Sequence, residues 1–176
     1  HLLANVASKG GNLMLNVGAD GEGDIPKYSA NYLLEVGKWL KQNGESIYGS
    51  TYGLIPAQPW GVTTSKPGKQ YLHVLIRPEN GKLLIPNFQA NVKSVRSLGD
   101  KKNLTFKKNG DEIIIDLPAF KNDAVNTVFV LEYTGNPKMY DLDTPVSVSS
   151  QYFNNAVDAV FAKLSGNAKV QSLTYS

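Results

Sequence analysis

Three acids, Asp20, Glu22 and Asp24, alternate with Gly21 and Gly23 in one short loop, and a loop of that kind can hold a cation. A calcium loop of the EF-hand type also needs a bidentate Glu near its twelfth position, and residue 31 is Asn. Spaced acids among glycines otherwise serve turns and helix caps, which is how they read here, so no metal ligand is assigned. Gly18, Gly21 and Gly23 lack the spacing of a dinucleotide or phosphate fingerprint. The chain has no cysteine, which excludes disulfides, Cys-ligated metals and a thiol nucleophile. Its two histidines, His1 and His73, are too few for an internal His-based metal cluster or an easily built Ser-His-Asp triad. His73 sits among apolar strand residues and reads as structural. Trp60, with Tyr48 and Tyr52, could stack on a sugar ring, although packing the seam between two halves of the chain is the plainer role. No two carboxylates fall on adjacent strand ends as a glycosidase pair. Taken residue by residue, the sequence contains no active site.

The elements that would position these residues change character along the chain. Residues 2 to 9 read as the end of a helix stopped by Gly10-Gly11. Asn12 to Val17 reads as a short strand, and Asp24 and Pro26 as the cap and first turn of a helix running to Asn43. Ala30, Leu33, Leu34, Gly37 and Leu40 follow the helical period, so that face is predicted to pack on the strand; Glu35 lies off it and is predicted to be solvated. Helix, strand, helix is a unit of an α/β protein. In a barrel built of such units the site lies at the C-terminal ends of the strands. Alternation puts Leu13, Leu15 and Val17 on one face and Asn12, Met14 and Asn16 on the other. Asn16 then sits near the rim, where its plainer task is to tie down the loop backbone.

After Tyr48 the helical period is lost. Residues 49 to 69 are rich in Gly and Pro. Short strands are predicted at Tyr71 to Ile76, Lys82 to Ile85, Val92 to Leu98, Leu104 to Phe106, Glu112 to Leu117 and Thr127 to Tyr133. Asn80-Gly81 and Asn109-Gly110 are the turn signals between them. Such spacing suggests an antiparallel sandwich. Pro137 to Pro145 reads as a linker, and the remainder as a further strand pair, a short helix or the start of another module. A formal charge of +3, from 18 basic and 15 acidic residues, gives little support to a nucleic-acid partner. No apolar run has the length of a membrane span. A first residue of His, with Leu2-Leu3-Ala4-Asn5-Val6 already helical in character, suggests a piece of a longer or processed chain.

One set of strings is specific. Ser8-Lys9-Gly10-Gly11-Asn12-Leu13-Met14-Leu15-Asn16-Val17-Gly18 is followed by Asp20-Gly21-Glu22-Gly23-Asp24-Ile25-Pro26. Leu34-Glu35-Val36-Gly37-Lys38-Trp39-Leu40 and Asn43-Gly44-Glu45-Ser46-Ile47-Tyr48-Gly49 come next. Together they resemble the last barrel segment of α-L-fucosidases of glycoside hydrolase family 29. Ala19 stands where the family commonly has Pro, and Ser46 where it has Ala; neither position touches the chemistry. Pro59-Trp60-Gly61, Tyr71-Leu72-His73-Val74, Gly81-Lys82-Leu83 and Ile115-Asp116-Leu117-Pro118 resemble the family's C-terminal β-sandwich. The resemblance spans about residues 2 to 134.

It implies an α/β plus all-β chain. Residues 1–48 would be the last strand–helix unit of a catalytic (β/α) barrel and 49–136 an antiparallel β-sandwich. Residues 137–176 would be a linker and the possible start of an additional β module. The implied parent is a retaining exo-glycosidase that removes terminal α-L-fucose. An Asp on a middle barrel strand would be its nucleophile and a separate carboxylic acid its proton donor, with histidines and aromatics on earlier strands holding the sugar. All of those motifs lie upstream, so no catalytic residue is carried over and this chain alone is expected to be inactive. Asn16, Gly18 and Asp20 are placed near the mouth of the site, and Trp60 is the candidate for sugar stacking. The implied partners are fucosylated glycans or glycoconjugates, with no cofactor, nucleic acid or membrane, in a secreted or periplasmic protein. The alternative is a non-catalytic carbohydrate-binding sandwich with Trp60 and the tyrosines as its platform. A third reading makes residues 50 to 134 a buttress for the barrel.

Overall fold

Helix α1 is Leu2–Ser8 and helix α2 is Lys27–Asn43. The computed structural model describes residues 1–119 and 125–137. Gly10 and Gly11 close α1 as the sequence predicts. Gly10 takes φ 75°, its N–H reaches the Ala7 carbonyl at 2.9 Å, and the Gly11 N–H reaches the Val6 carbonyl at 3.0 Å. Those two bonds make a Schellman motif, which needs a left-handed residue where Gly10 stands.

Three expectations for the first 44 residues fail. Residues 12–17 are extended chain without strand pairing, Met14 is 93% exposed and Leu15 61%. A strand exists only by bonding to neighbours, and among the described residues none pairs with this segment. Asp24 does not cap α2: Pro26 holds the N-cap position with no side-chain bond, and the Asp24 N–H donates to Asp20 Oδ1 at 2.9 Å. The apolar stripe of α2 is also not the docked face. Leu33 is 37% and Leu34 63% exposed, and a Cβ on Gly37 would meet nothing within 4 Å. The helix is held instead through Trp39, which packs on Tyr71, Leu98, Val128 and Val130, with Asn43 buried one turn further on.

After α2 a 3-10 turn, Gly44–Ser46, leads into two antiparallel sheets. The strands are β1 Thr51–Tyr52, β2 Gly61–Lys66, β3 Lys69–Val74, β4 Lys82–Ile85, β5 Asn91–Ser97, β6 Phe106–Asn109, β7 Glu112–Asp116 and β8 Thr127–Thr134. One sheet runs β1-β2-β3-β8-β5 and the other β4-β7-β6. Both are open. A single apolar cluster draws on both: Leu72, Val74, Val95, Phe129, Leu131 and Tyr133 from the larger, and Leu83, Ile85, Ile113 and Ile115 from the smaller. The opposite face of the larger sheet, with Tyr71, Val128 and Val130, lies under Trp39. Central strands β3 and β8 are therefore covered on both faces, which is why they read as near-continuous apolar runs.

Strand β2 is missing from the sequence reading because it is polar, yet Gly61 to Ser65 are all buried. Burial is tolerated because each hydroxyl finds a carbonyl: Thr63 donates to Ile55, Thr64 to Ser46 and Ser65 to Tyr52, at 2.8, 2.6 and 2.6 Å. The imperfect alternation of Val92 to Leu98 has a physical cause, a register shift between Val92 and Ser94 that leaves Lys93 outside the pairing. Leu104 and Thr105 precede β6 rather than forming it. The Asn80-Gly81 turn links strands of different sheets, with the Gly81 N–H on the Pro78 carbonyl at 3.0 Å, so it is not a hairpin. The β6–β7 hairpin closes through Gly110-Asp111, since Asn109 pairs with Glu112. Of those two residues only Gly110 has positive φ, 60°, which is the II′ pattern in place of the expected I′. Among the described residues no helix is long and apolar enough to cross a membrane. The expected linker beyond Pro137, and whatever follows it, lie outside the described residues.

Candidate functional site

The loop at 18–24 is tied by its own first acid. Asp20 Oδ1 accepts from the Glu22 N–H at 3.0 Å and the Asp24 N–H at 2.9 Å, and the Asp20 N–H donates to the Asp24 carbonyl at 2.9 Å. These bonds hold the loop in a fixed local shape without a cation, as side-chain oxygens of Asp do in turns. Among the described residues no group of three His, Asp or Glu side chains could hold a metal. Asn16 and Gly18 are exposed and lie on the same extended stretch, so the three residues assigned to the mouth stay close in sequence and open to solvent. Trp60 is a correction. It is 4% exposed inside the shared core, and its Nε1 donates to the Leu84 carbonyl at 3.2 Å, so neither ring face is open to a sugar. Tyr48 and Tyr52 are exposed and do not join it. Glu35 is solvated as expected and pairs with Lys38 at 2.6 Å.

Two polar clusters escape the sequence reading because their members are far apart in the chain. Glu45, in the 3-10 turn, accepts from both Lys69 Nζ and Tyr71 Oη at 2.8 Å. The Lys69 bond holds the Glu45 carboxyl below its ordinary range against the opposing effect of burial. Burial, and then the Glu45 bond, pushes the Tyr71 phenol well above its own. The cluster borders a cleft of about 580 Å³ between Leu40, Lys41, Tyr48, Arg96 and Lys101. The second cluster centres on His73, fully buried in β3. Its Nε2 lies 3.1 Å from Thr64 Oγ1 and its Nδ1 3.3 Å from Asn126 Nδ2. Desolvation lowers its pKa to about 4, the Asn126 bond acting in the opposite direction. Trp39 lies against the imidazole, ring centroids 6.3 Å apart, and its Nε1 donates to the Asn126 carbonyl at 2.8 Å. The expected structural role of His73 matches this setting. Neither cluster supplies a nucleophile facing an acid across an open space, so both brace the fold.

What the arrangement defines is a sheet-dominated piece carrying a helix with an uncovered apolar face. The sequence model of the α-L-fucosidase family matches residues 1–45. The tissue α-L-fucosidase of Bos taurus is 37% identical over 131 residues, covering 72% of this chain and 28% of that protein. An α-L-fucosidase of Dictyostelium discoideum is 35% identical over 99 residues, covering 54% of this chain and 22% of that one. Among solved structures, α-L-fucosidase isoenzyme 1 of Paenibacillus thiaminolyticus superposes with a TM-score of 0.68 at 33% identity, over 75% of this chain and 33% of that one. The chain belongs to the α-L-fucosidases of glycoside hydrolase family 29. It spans about a quarter of the length of these curated relatives, 22% and 28%.

Proposed function

We propose that the chain is the C-terminal part of a retaining α-L-fucosidase that releases terminal fucose from glycans or glycoconjugates outside the cytoplasm. Residues 1–48 complete a catalytic (β/α) barrel, and 49–136 form the β-sandwich that braces it. The nucleophilic Asp and the acid–base carboxyl belong to the rest of the barrel. Asn16, Gly18 and Asp20 lie at the mouth of the site.

The observation that carries this reading is the uncovered apolar surface of the first 44 residues. Met14, Leu15, Ile25, Leu33, Leu34 and Val36 are 93%, 61%, 56%, 37%, 63% and 45% exposed. A soluble domain seldom leaves so many large apolar side chains of neighbouring segments in water unless another surface covers them. The missing ladder partners of residues 12–17 point the same way. The two open sheets with a common core support the sandwich assignment, and Ile55 and Trp60 inside that core support a bracing role. The binding-module alternative loses its stacking residue through the burial of Trp60.

The purified chain is expected to release no nitrophenol from an aryl α-L-fucoside. Co-expressed with the barrel portion of a family member, it is expected to restore saturable release, with amide exchange slowed across 12–17 and α2. Saturable turnover by the chain alone would overturn the proposal, as would co-purification with unchanged exchange on α2.

A further inference from the structure

The hydrogen bonds around His73 run in one direction. Thr64 Oγ1 is 2.6 Å from the Ser46 carbonyl, which only accepts, so the hydroxyl proton is committed there. Towards His73 Nε2, 3.1 Å away, the same oxygen must accept, and Nε2 therefore carries the ring proton. Nδ1 of the neutral ring is then bare and accepts from Asn126 Nδ2 at 3.3 Å. The chain of donors passes from the Asn126 amide through His73 and Thr64 to the 3-10 turn that ends α2. Asn126 itself is fixed by the Trp39 bond to its carbonyl.

One atom is left over. Asn126 Oδ1 is buried, and among the described residues it has no hydrogen-bond partner. A buried amide oxygen without a partner is costly, and turning the amide over would aim it at His73 Nδ1. That contact is favourable only if Nδ1 bears a proton. The side chain thus has two orientations, each matched to one charge state of the ring.

We propose that Asn126 and His73 form a two-position proton switch in the seam between α2 and the larger sheet. With the ring neutral, the amide N–H faces Nδ1; with the ring protonated, the amide turns and Oδ1 accepts from Nδ1–H. The switch sets the pH at which the seam between α2 and the sheet opens. The surroundings are otherwise nearly free of competing charge. Across β2 and β8 the register partners of His73 are Val62 and Val128. The α-ammonium of His1, before α1, opposes a second proton on the ring. On α2, Glu35 and Lys38 pair with each other, and beside them Trp39 faces the imidazole. The 3-10 turn contributes the Ser46 carbonyl, and its Glu45 is engaged by Lys69 and Tyr71. This inference does not depend on the fucosidase reading.

The test is imidazole and side-chain-amide nitrogen NMR on the full 176-residue chain as the pH is lowered. At neutral pH His73 is expected as the Nε2–H tautomer. The Asn126 side-chain amide signals are expected to move with the same midpoint as the ring. Asn126→Asp, which keeps an acceptor and adds charge, is expected to raise that midpoint by at least about one pH unit, a tenfold gain in proton affinity. Asn126→Leu is expected to lower it. An Nδ1–H tautomer at neutral pH overturns the proposal. So does an Asn126 amide indifferent to the ring titration, or an unmoved midpoint in Asn126→Asp. Should the Leu variant fail to fold, the tautomer in the unaltered chain and the Asp variant decide the matter.

Discussion

Acidification through the range where an ordinary histidine titrates should destabilise this chain through His73 alone. The folded state holds the ring neutral with a pKa of about 4, against 6.5 for the free side chain. The unfolded chain therefore binds the proton first, so stability is complete above about pH 6.5 and is lost as the pH falls towards 4. Linkage gives a loss of about 2 kcal/mol at pH 5 and about 3 kcal/mol at pH 4. Glu45, Asp100 and Asp116 are also held below their ordinary carboxylate values, by Lys69, Ser97 and Lys82 in first place. Their contributions are lost only below those values, so the interval from about pH 7 to about pH 5 isolates the histidine. Urea unfolding followed by far-UV circular dichroism at steps across that interval measures the loss. His73→Phe should be less stable at pH 7, because Asn126 Nδ2 loses its acceptor, but nearly flat from there to pH 5. A wild-type stability constant to within about 0.5 kcal/mol over that range would refute the reasoning, as would an equal slope in His73→Phe.

Gly61→Ala should cost at least about 3 kcal/mol, since a Cβ there would strike the His73 carbonyl at φ 152°, while Gly18→Ala should stay within about 0.5 kcal/mol; denaturant midpoints compare the two. Leu34→Lys should change the stability of this chain by less than about 0.5 kcal/mol, because the side chain is 63% exposed, yet disrupt co-purification with the barrel portion. Asn16→Leu in the complete enzyme should lower turnover per folded molecule if its amide braces catalytic side chains, with an unpaired partner costing about 1–3 kcal/mol. A lowered melting temperature with unchanged turnover assigns it to the loop instead, and no change in either refutes both roles.

Local signals were legible wherever a few adjacent residues decide the outcome. Gly10-Gly11 ends α1, the apolar period marks α2, and the strings from Ser8 to Gly49 identify the family, because a turn, a period and a motif each fit within a short window of sequence. The apolar stripe of α2 was legible too, but not its partner: periodicity tells which side chains share a face, not what covers it. Tertiary structure alone decided that Trp39, outside the predicted stripe, holds the helix to the sheet, and that Trp60 lies in the core rather than on a surface. It also decided that the polar run Gly61 to Ser65 is buried, since the carbonyls that satisfy its hydroxyls come from residues 46 to 55. The pairing of His73 with Thr64 and Asn126 was equally hidden, because it joins residues 9 and 53 positions apart. Whether a polar side chain is tolerable in a core, and what its pKa becomes, depends on partners that only folding brings within bonding distance.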